Sequence, residues 1–158
     1  MVASMAKVMT TKLYDTDFYA WTLEQSRLLR SGNLQGLDIE NLVEEIESLG
    51  RQERRELENR LGVLIGHLLK WVYQPEKRSK SWQVTIRVQR QQIQRLINQN
   101  PSLKSYLLEA VSIGYELGLE LFFRETQLLD VDLPDVCPFT VEQVFDAAFP
   151  ENFISKYQ

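Results

Sequence analysis

The sequence contains few of the residues that metal, redox and hydrolytic sites depend on. Its 158 residues include one cysteine and one histidine. Cys137 therefore has no partner for an internal disulfide, and the two residues cannot assemble a zinc or di-iron site between them. A chain without disulfides is typical of a reducing compartment. We accordingly expect a cytoplasmic protein with no bound metal and no cofactor.

Long apolar runs are also absent. The most apolar stretch, residues 61–73, is interrupted by His67 and Lys70, and it is shorter than the roughly 18 to 20 residues that span a bilayer. The first twelve residues lack the sustained apolar segment of a secretory signal, so we expect residues 1–12 to form a flexible N-terminal tail. With 44% hydrophobic residues, residues 13–158 are predicted to form a single helical domain with its own core and no membrane association.

The sequence does contain apolar residues at helical spacing. Asp38 is a strong N-cap candidate, and the apolar residues after it recur three and four apart, as on one side of a helix. The spacing resumes from Leu57 to Trp71, but Gly50 and Glu53 would fall on the buried side, so we expect a bend or break near residue 50. The apolar positions are Ile39, Leu42, Val43, Ile46, Leu49, Leu57, Leu61, Leu64, Leu68 and Trp71.

Similar patterns predict helices elsewhere in the chain. One helix begins after Asp15 or Thr16 and stops at Gly32. Another runs through residues 82–97, where a short strand-like alternation is followed by helical spacing and glutamine-rich composition. The predicted fold is all-α, a single-domain helical bundle of about five or six helices. Its longest parts are a long bent helix or helix pair at about 38–73 and a long helix at about 102–129.

Two local features predict how the later helices are packed and capped. Ala110, Gly114 and Gly118 lie four residues apart on the long helix, and such small side chains let another helix approach closely. Thr140 and Gln143 have the spacing of a capping box, in which each side chain bonds the backbone N–H of the other residue. This pair predicts the start of a short final helix.

The net charge of −4 conceals an uneven distribution. Residues 51–100 contain eleven Lys and Arg and four acidic residues, whereas the segments on either side are acidic overall. A basic block of this kind can attract phosphates, or it can be neutralised by acidic segments folded against it. We expect Arg78 or Arg90 to form an ion pair with one of those carboxylates. The basic residues concerned are Lys70, Lys77, Arg78, Lys80, Arg87, Arg90 and Arg95, interleaved with Trp71, Tyr73 and Trp82.

The single histidine lies at the border of the predicted buried side of its helix. Nucleophilic catalysis would need a Ser, Cys or Thr held by the histidine, with a carboxylate to orient the ring, and the sequence has no Gly-x-Ser-x-Gly segment. We expect His67 to be partly buried and to hydrogen-bond a polar group of another helix, with Glu47 and Glu125 as first candidates. No catalytic residue is predicted; if the chain is an enzyme, these three residues are the candidates.

Three glutamates near the start of the predicted long helix invite a metal-site interpretation. Helical di-metal sites combine inward glutamates with a Glu-x-x-His pair from each of two helices, and here the only histidine has a leucine three residues before it. The motif fails, so a solvated or salt-bridging face is the simpler interpretation. The residues that we expect in a binding or structural polar network are Glu44, Glu45, Glu47, His67, Lys70, Arg78, Trp82, Arg87 and Arg90.

Seven short segments form a set that is specific enough to compare with known families. They are YDTDFYAW, LLRSG, LDIENLVEEIESLG, HLLKW, QPEKRSKSW, NPSL and, more loosely, CPFTVEQVFDAAFP. Together they resemble a bacterial family catalogued as Domain of Unknown Function 29, over roughly Leu13 to Pro150. The resemblance implies an all-helical fold and no established activity. The residues that match the family pattern are Asp17, Trp21, Asp38, Glu44, Glu45, Glu47, His67, Lys70, Trp71, Arg78, Trp82 and Arg90.

The absence of a catalytic signature decides our leading functional prediction. A full core and a patterned charged surface indicate a non-enzymatic cytoplasmic module that binds another macromolecule, with an unknown protein as the expected partner. The alternative is nucleic-acid binding through the basic 70–95 region, which would weaken steeply with salt. A second alternative is an enzyme that uses His67 with a nearby glutamate. A homo-oligomer is compatible with each of these predictions.

Overall fold

The structure is a computed structural model that describes residues 2–129 and 132–150. These residues form six α-helices and three short 3₁₀ helices, with no strand among them. The predicted all-α helical bundle is therefore confirmed. Residues 130–131 and 151–158 of the predicted domain lie outside the described residues. The helices are α1 (Val2–Thr16), α2 (Phe18–Arg30), α3 (Ile39–Tyr73), α4 (Lys80–Gln99), α5 (Leu107–Glu125) and α6 (Val141–Phe145).

The described residues fall into two compact units, which lie within Met1–Gln52 (unit 1) and Glu53–Gln158 (unit 2). Helix α3 is a single helix of 35 residues, and it contributes its first half to unit 1 and its second half to unit 2. The interruption of the apolar pattern near Gly50 coincides with this boundary and does not end the helix. One glycine costs a helix only about 1 kcal/mol, which neighbouring turns can offset.

Unit 1 contains α1, α2 and the first half of α3. The helix predicted to begin after Asp15 or Thr16 is α2, and its N-cap is Asp17, whose side chain accepts a hydrogen bond from the Ala20 N–H. Most of the predicted N-terminal tail, residues 2–12, belongs to α1. Helix α2 ends at the Gly32 turn, where φ is +70°, a conformation that glycine adopts without strain.

Unit 2 contains the main hydrophobic core, formed by the second half of α3 together with α4, α5 and α6. The predicted close approach at the small residues of α5 is confirmed, and its partners are Gly62 and Gly66 of α3. A Cβ atom added to Gly118 would lie 3.0 Å from the Gly66 nitrogen and 3.2 Å from the Gly62 oxygen. The two helix backbones are therefore in contact. The fully buried side chains of this core include Leu57, Leu61, Leu64, Ile65, Leu68, Trp71, Ile86, Ile93 and Phe122.

The ends of the later helices follow local capping rules. The predicted capping box is present at α6, with Thr140 and Gln143 each bonding the backbone N–H of the other. Ser79 caps α4 by accepting from the Trp82 N–H. The predicted long helix at 102–129 is divided into a 3₁₀ segment, Pro101–Tyr106, and α5, which ends at Glu125, four residues before the predicted end. Trp82 therefore lies in the first turn of α4, and Glu125 is the last residue of α5, both in unit 2.

Candidate functional site

His67 is partly buried on α3, as expected, but its hydrogen bond stays within that helix. Its Nδ1 lies 2.8 Å from the Val63 carbonyl oxygen. Because a carbonyl oxygen only accepts, Nδ1 carries the proton and donates it. The expectation that this ring would bond another helix is wrong for this nitrogen, because helical side chains point back over the preceding turn and bring Nδ1 onto the carbonyl four residues before it.

The surroundings of His67 favour the neutral ring. Burial lowers the pKa of His67 below its ordinary value, and the positive charge of Lys70 acts in the same direction. The Val63 hydrogen bond and the negative charge of Glu125 oppose the shift. With Nδ1 protonated, the neutral ring has its lone pair on Nε2.

Lys70 forms the link between helices that the sequence assigned to His67. Its ammonium group donates to Glu125 Oε2 at 2.7 Å and lies 4.7 Å from the Trp82 ring centroid. Lys70 is only 4% exposed. Its ammonium group, from α3, therefore lies enclosed between the Glu125 carboxylate of α5 and the Trp82 ring of α4. The Lys70 hydrogen bond lowers the pKa of Glu125. Glu125, a candidate partner of His67, thus forms its ion pair with Lys70.

Arg78 and Arg90 are bound to backbone carbonyls of the same unit. Arg78 Nε donates to the Trp71 carbonyl at 2.8 Å, and its guanidinium lies 5.2 Å from the Trp71 ring centroid. Arg90, which is 8% exposed, donates to the carbonyls of Gln143, Val144 and Phe149. Its burial lowers the pKa of Arg90 to about 10. These hydrogen bonds join Arg90 to the chain segment around α6. The expected ion pair of Arg78 or Arg90 with a carboxylate of the acidic segments stays a prediction.

The three predicted glutamates lie in unit 1 and make local contacts. Glu44 accepts from Arg51 at 2.7 Å, and Glu47 lies 3.8 Å from the same guanidinium group. Glu45 accepts from the Tyr14 hydroxyl at 2.6 Å, which raises the pKa of Tyr14 to about 12. The predicted polar network is therefore divided between the two units. Its basic residues and His67 lie in unit 2, where Arg87 is exposed on α4.

Sequence reasoning missed an exposed apolar surface at the start of α3. Four of the five apolar residues expected in the core there are 47–66% exposed in the structure. We call them the exposed stripe: Ile39, Val43, Ile46 and Leu49. The stripe borders an open cavity of about 310 Å³ between α2 and α3, the α2–α3 groove. Its lining includes Trp21, Gln25, Leu29, Leu42, Ile46 and Leu49.

A buried polar network joins the two helices that form the groove. Asp38 accepts from Trp21 Nε1 at 3.1 Å and from Asn41 Nδ2 at 2.7 Å, and its own backbone N–H donates to Gln25 Oε1 at 2.9 Å. Gln25 is 2% exposed, and within residues 2–129 and 132–150 its Nε2 has no hydrogen-bond acceptor. A buried donor without an acceptor is unusual in proteins and is energetically costly. The groove therefore includes a residue with an unsatisfied amide.

The charges beside the groove differ between its two sides. From Ile39 to Gly50, α3 carries four glutamates and no basic residue, and three of them are exposed. On the α2 side, Arg30 lines the groove. The α3 side is therefore both apolar and acidic, and a complementary surface would be apolar with basic residues. The exposed glutamates are Glu40, Glu44 and Glu47.

No group of three or more His, Cys, Asp or Glu side chains in residues 2–129 and 132–150 is arranged to hold a metal ion. Among the same residues, no helix combines the length and the apolar character required to cross a bilayer.

The comparison with known proteins identifies one family. The family model described as Domain of unknown function DUF29 matches residues 13–150, the span over which the sequence segments had suggested it. No curated protein and no solved structure matches the chain.

Proposed function

This chain belongs to the family described as Domain of unknown function DUF29, and we propose that it is a non-enzymatic cytoplasmic module that binds another protein. The proposed binding surface is the α2–α3 groove with the exposed stripe. The proposed partner is an amphipathic helix that has basic residues along one flank. The exposure of the stripe carries this proposal.

The apolar character of the stripe supports a protein partner. Four large aliphatic side chains follow one another at helical spacing on α3, and each is about half exposed or more. Contiguous exposed apolar surface is uncommon in monomeric proteins and marks binding sites when it is bordered by polar residues. A helix that lies in a hydrophobic groove contributes apolar residues at the same three- and four-residue spacing. The groove has the shape and composition for that mode of recognition.

The charge beside the stripe supports a basic partner. Glu40, Glu44 and Glu47 are exposed on α3, and Arg51 neutralises only part of this charge. Charge complementarity speeds encounter and selects among partners more than it adds affinity. A partner helix would therefore turn its lysines or arginines toward α3. The amide of Gln25, which has no acceptor within the described residues, supplies a donor for a polar group of the partner after a small adjustment.

The test is peptide binding measured by fluorescence anisotropy. Two labelled 18-residue peptides share a helical leucine stripe and differ only in carrying lysine or glutamate along one flank. We expect the lysine peptide to bind the full chain, and Ile46→Glu with Leu49→Glu to weaken binding about tenfold or more. Leu108→Glu is the matched control, because Leu108 is also exposed but lies in unit 2. Equal binding of both peptides by parent and groove variant would reject the proposal.

Nucleic-acid binding is the alternative that a feature of α4 favours. This helix contains no acidic residue, and Lys80, Arg87 and Arg95 are exposed on it. The structure gives this alternative less support than the sequence does. Lys70, Arg78 and Arg90 belong to the basic 70–95 region, but they form hydrogen bonds within the protein. Binding of a labelled 20-nucleotide RNA that falls at least about tenfold between 50 and 200 mM salt, and that Arg87→Glu abolishes, would favour it.

Catalysis by His67 is supported only by the neutral state of its ring. The residues proposed to assist it have other contacts: Glu125 binds Lys70, and Glu47 lies near Arg51 in unit 1. A general base must be within hydrogen-bonding reach of the proton that it removes. We therefore rank the enzyme hypothesis third.

A further inference from the structure

Unit 1 has a second apolar surface, on helix α1. Its large apolar side chains Val2, Met5, Val8 and Met9 are 67–84% exposed. The spacing from Val2 to Met5 and Met9 is three and then four residues, which sets these three side chains along one side of the helix. Their exposure leaves a flexible, methionine-rich surface, and methionine adapts readily to the shape of a binding site.

The opposite side of α1 packs inside unit 1. Thr10 is buried, and the Tyr14 ring lies edge-on to Phe18 and Trp21 while its hydroxyl binds Glu45. Helix α1 is thus held in its own chain by one side while Met5 and Met9 face outward. The outward side remains available to a second molecule without release of α1 from unit 1.

The charge of α1 is complementary to the charge of α3. Lys7 and Lys12 are exposed on α1, and residues 2–14 contain no acidic residue. The exposed stripe is accompanied by four glutamates and no basic residue between Ile39 and Gly50. The chain therefore contains both an apolar acidic groove and an exposed apolar basic helix. These are the two chemical properties that the proposed partner of the groove must combine.

The apolar positions of the two surfaces also match in spacing. Helix α1 has 15 residues and is about 22 Å long, while the groove residues from Leu42 to Leu49 extend over about 10 Å of α3. On α1, Val2 and Met9 are seven positions apart with Met5 between them, and on α3, Leu42 and Leu49 are seven positions apart with Ile46 between them. Each groove position along α3 thus has an apolar counterpart on α1.

We propose that the partner helix for the α2–α3 groove is α1 of a second copy of this chain. This inference rests on the proposed function of the groove. If each copy inserts α1 into the groove of the other, the contact is reciprocal and closes as a symmetric dimer. The outward side of α1 and the exposed stripe are then covered in the same assembly.

The test is a complementation experiment by sedimentation equilibrium with the full chain. One variant, Met5→Glu with Met9→Glu, alters the helix and keeps the groove; the other, Ile46→Glu with Leu49→Glu, alters the groove and keeps the helix. We expect the parent to be a dimer, and each variant to dimerise about tenfold or more weakly. An equimolar mixture is expected to form heterodimers, because one intact helix and one intact groove remain. Leu108→Glu is the control and is expected to stay dimeric.

The outcomes separate this inference from the proposed function. The lysine peptide is titrated into the Met5→Glu and Met9→Glu variant, whose groove is intact and unoccupied in a monomer. A monomeric parent whose groove still binds the peptide would overturn self-association and leave the proposed function standing. A parent that neither dimerises nor binds the peptide would overturn both. Dimers that persist in both variants, or a mixture that forms no heterodimer, would also overturn the inference.

Discussion

The two halves of α3 have the same apolar spacing and opposite surroundings. In the second half Leu57, Leu61, Leu64 and Leu68 are fully buried, whereas Ile39, Val43, Ile46 and Leu49 in the first half are 47–66% exposed. Apolar residues that recur three and four positions apart indicate that one side of a helix is apolar. Whether another part of the chain covers that side is a separate matter. The second half is the centre of a core, and the first half is a surface suited to a partner.

The ion pairs of the two halves differ in the same way. Lys70 is enclosed by Glu125 and Trp82, while Glu44 and Arg51 form their pair in solvent. A buried lysine depends on its carboxylate, because the ammonium group has lost its water. An exposed pair contributes little, because water and salt screen both charges. The four predictions below test this contrast, beginning with the largest expected effect.

Truncation of a leucine in the second half should be far more destabilising than truncation in the first half. We expect Leu61→Ala to lower the free energy of unfolding by about 3 to 4 kcal/mol, because it leaves a cavity in a fully buried site. Ile46→Ala should change it by about 0.5 kcal/mol or less, as for most surface substitutions, when both are compared in the Met5→Glu with Met9→Glu background, whose groove is unoccupied. Urea unfolding followed by tryptophan fluorescence measures both. Similar midpoints for the two variants would contradict the contrast.

Glycine substitutions provide a second test. Gly118→Ala adds a Cβ 3.0 Å from the Gly66 nitrogen, so the backbones of α3 and α5 must separate, and we expect a loss of about 2 to 3 kcal/mol. Gly50→Ala meets nothing within 4 Å and should stabilise the first half of α3 by about 0.5 to 1 kcal/mol. Thermal melts of both variants beside the parent decide this. A stabilising Gly118→Ala would show that the helices are not in close contact.

The buried pair is expected to respond more strongly than the exposed pair. Glu125→Gln leaves Lys70 without its carboxylate and should cost about 2 kcal/mol; this is below the range for fully buried pairs, since Glu125 is partly exposed. Glu44→Gln should cost less than about 1 kcal/mol. Lys70→Met is the companion variant and should cost less than Glu125→Gln, because methionine needs no charged partner. The contrast is supported if Glu125→Gln lowers the urea midpoint more than Glu44→Gln and more than Lys70→Met. Equal losses of stability in Glu125→Gln and Glu44→Gln would reject it.

The smallest predicted effect is a dependence of stability on pH. The pKa of His67 is lowered from its ordinary value of 6.5, so the unfolded chain binds more protons than the folded chain as the pH falls below 6.5. Acidification from pH 7.5 to 5.5 should therefore reduce the urea midpoint. His67→Gln should show a smaller reduction, because it cannot titrate, while Glu44→Gln should behave like the parent. A parent midpoint that rises on acidification would show the opposite pKa shift.

Local sequence patterns were sufficient for helices α2 to α6 and several of their ends, but they did not predict α1. The predicted 82–97 helix is Lys80–Gln99, and Thr140 with Gln143 forms the predicted capping box. The small residues of α5 correctly predicted a close helix contact. Their partners Gly62 and Gly66 have the same four-residue spacing on α3, which was not used to predict them. Each of these predictions depends on residues within a few turns of one another. A single segment contains all the information that they require.

Tertiary structure alone decided which apolar side is covered and which charges meet. Lys70 and Glu125 are 55 residues apart in the chain, and Arg90 reaches carbonyls more than 50 residues away, so no local pattern could select them. Helical spacing established an apolar side on both halves of α3, but burial depends on distant segments that supply the covering atoms. Those segments reach Leu61 and leave Ile46 exposed, because periodicity is a property of one helix and burial is a property of its neighbours.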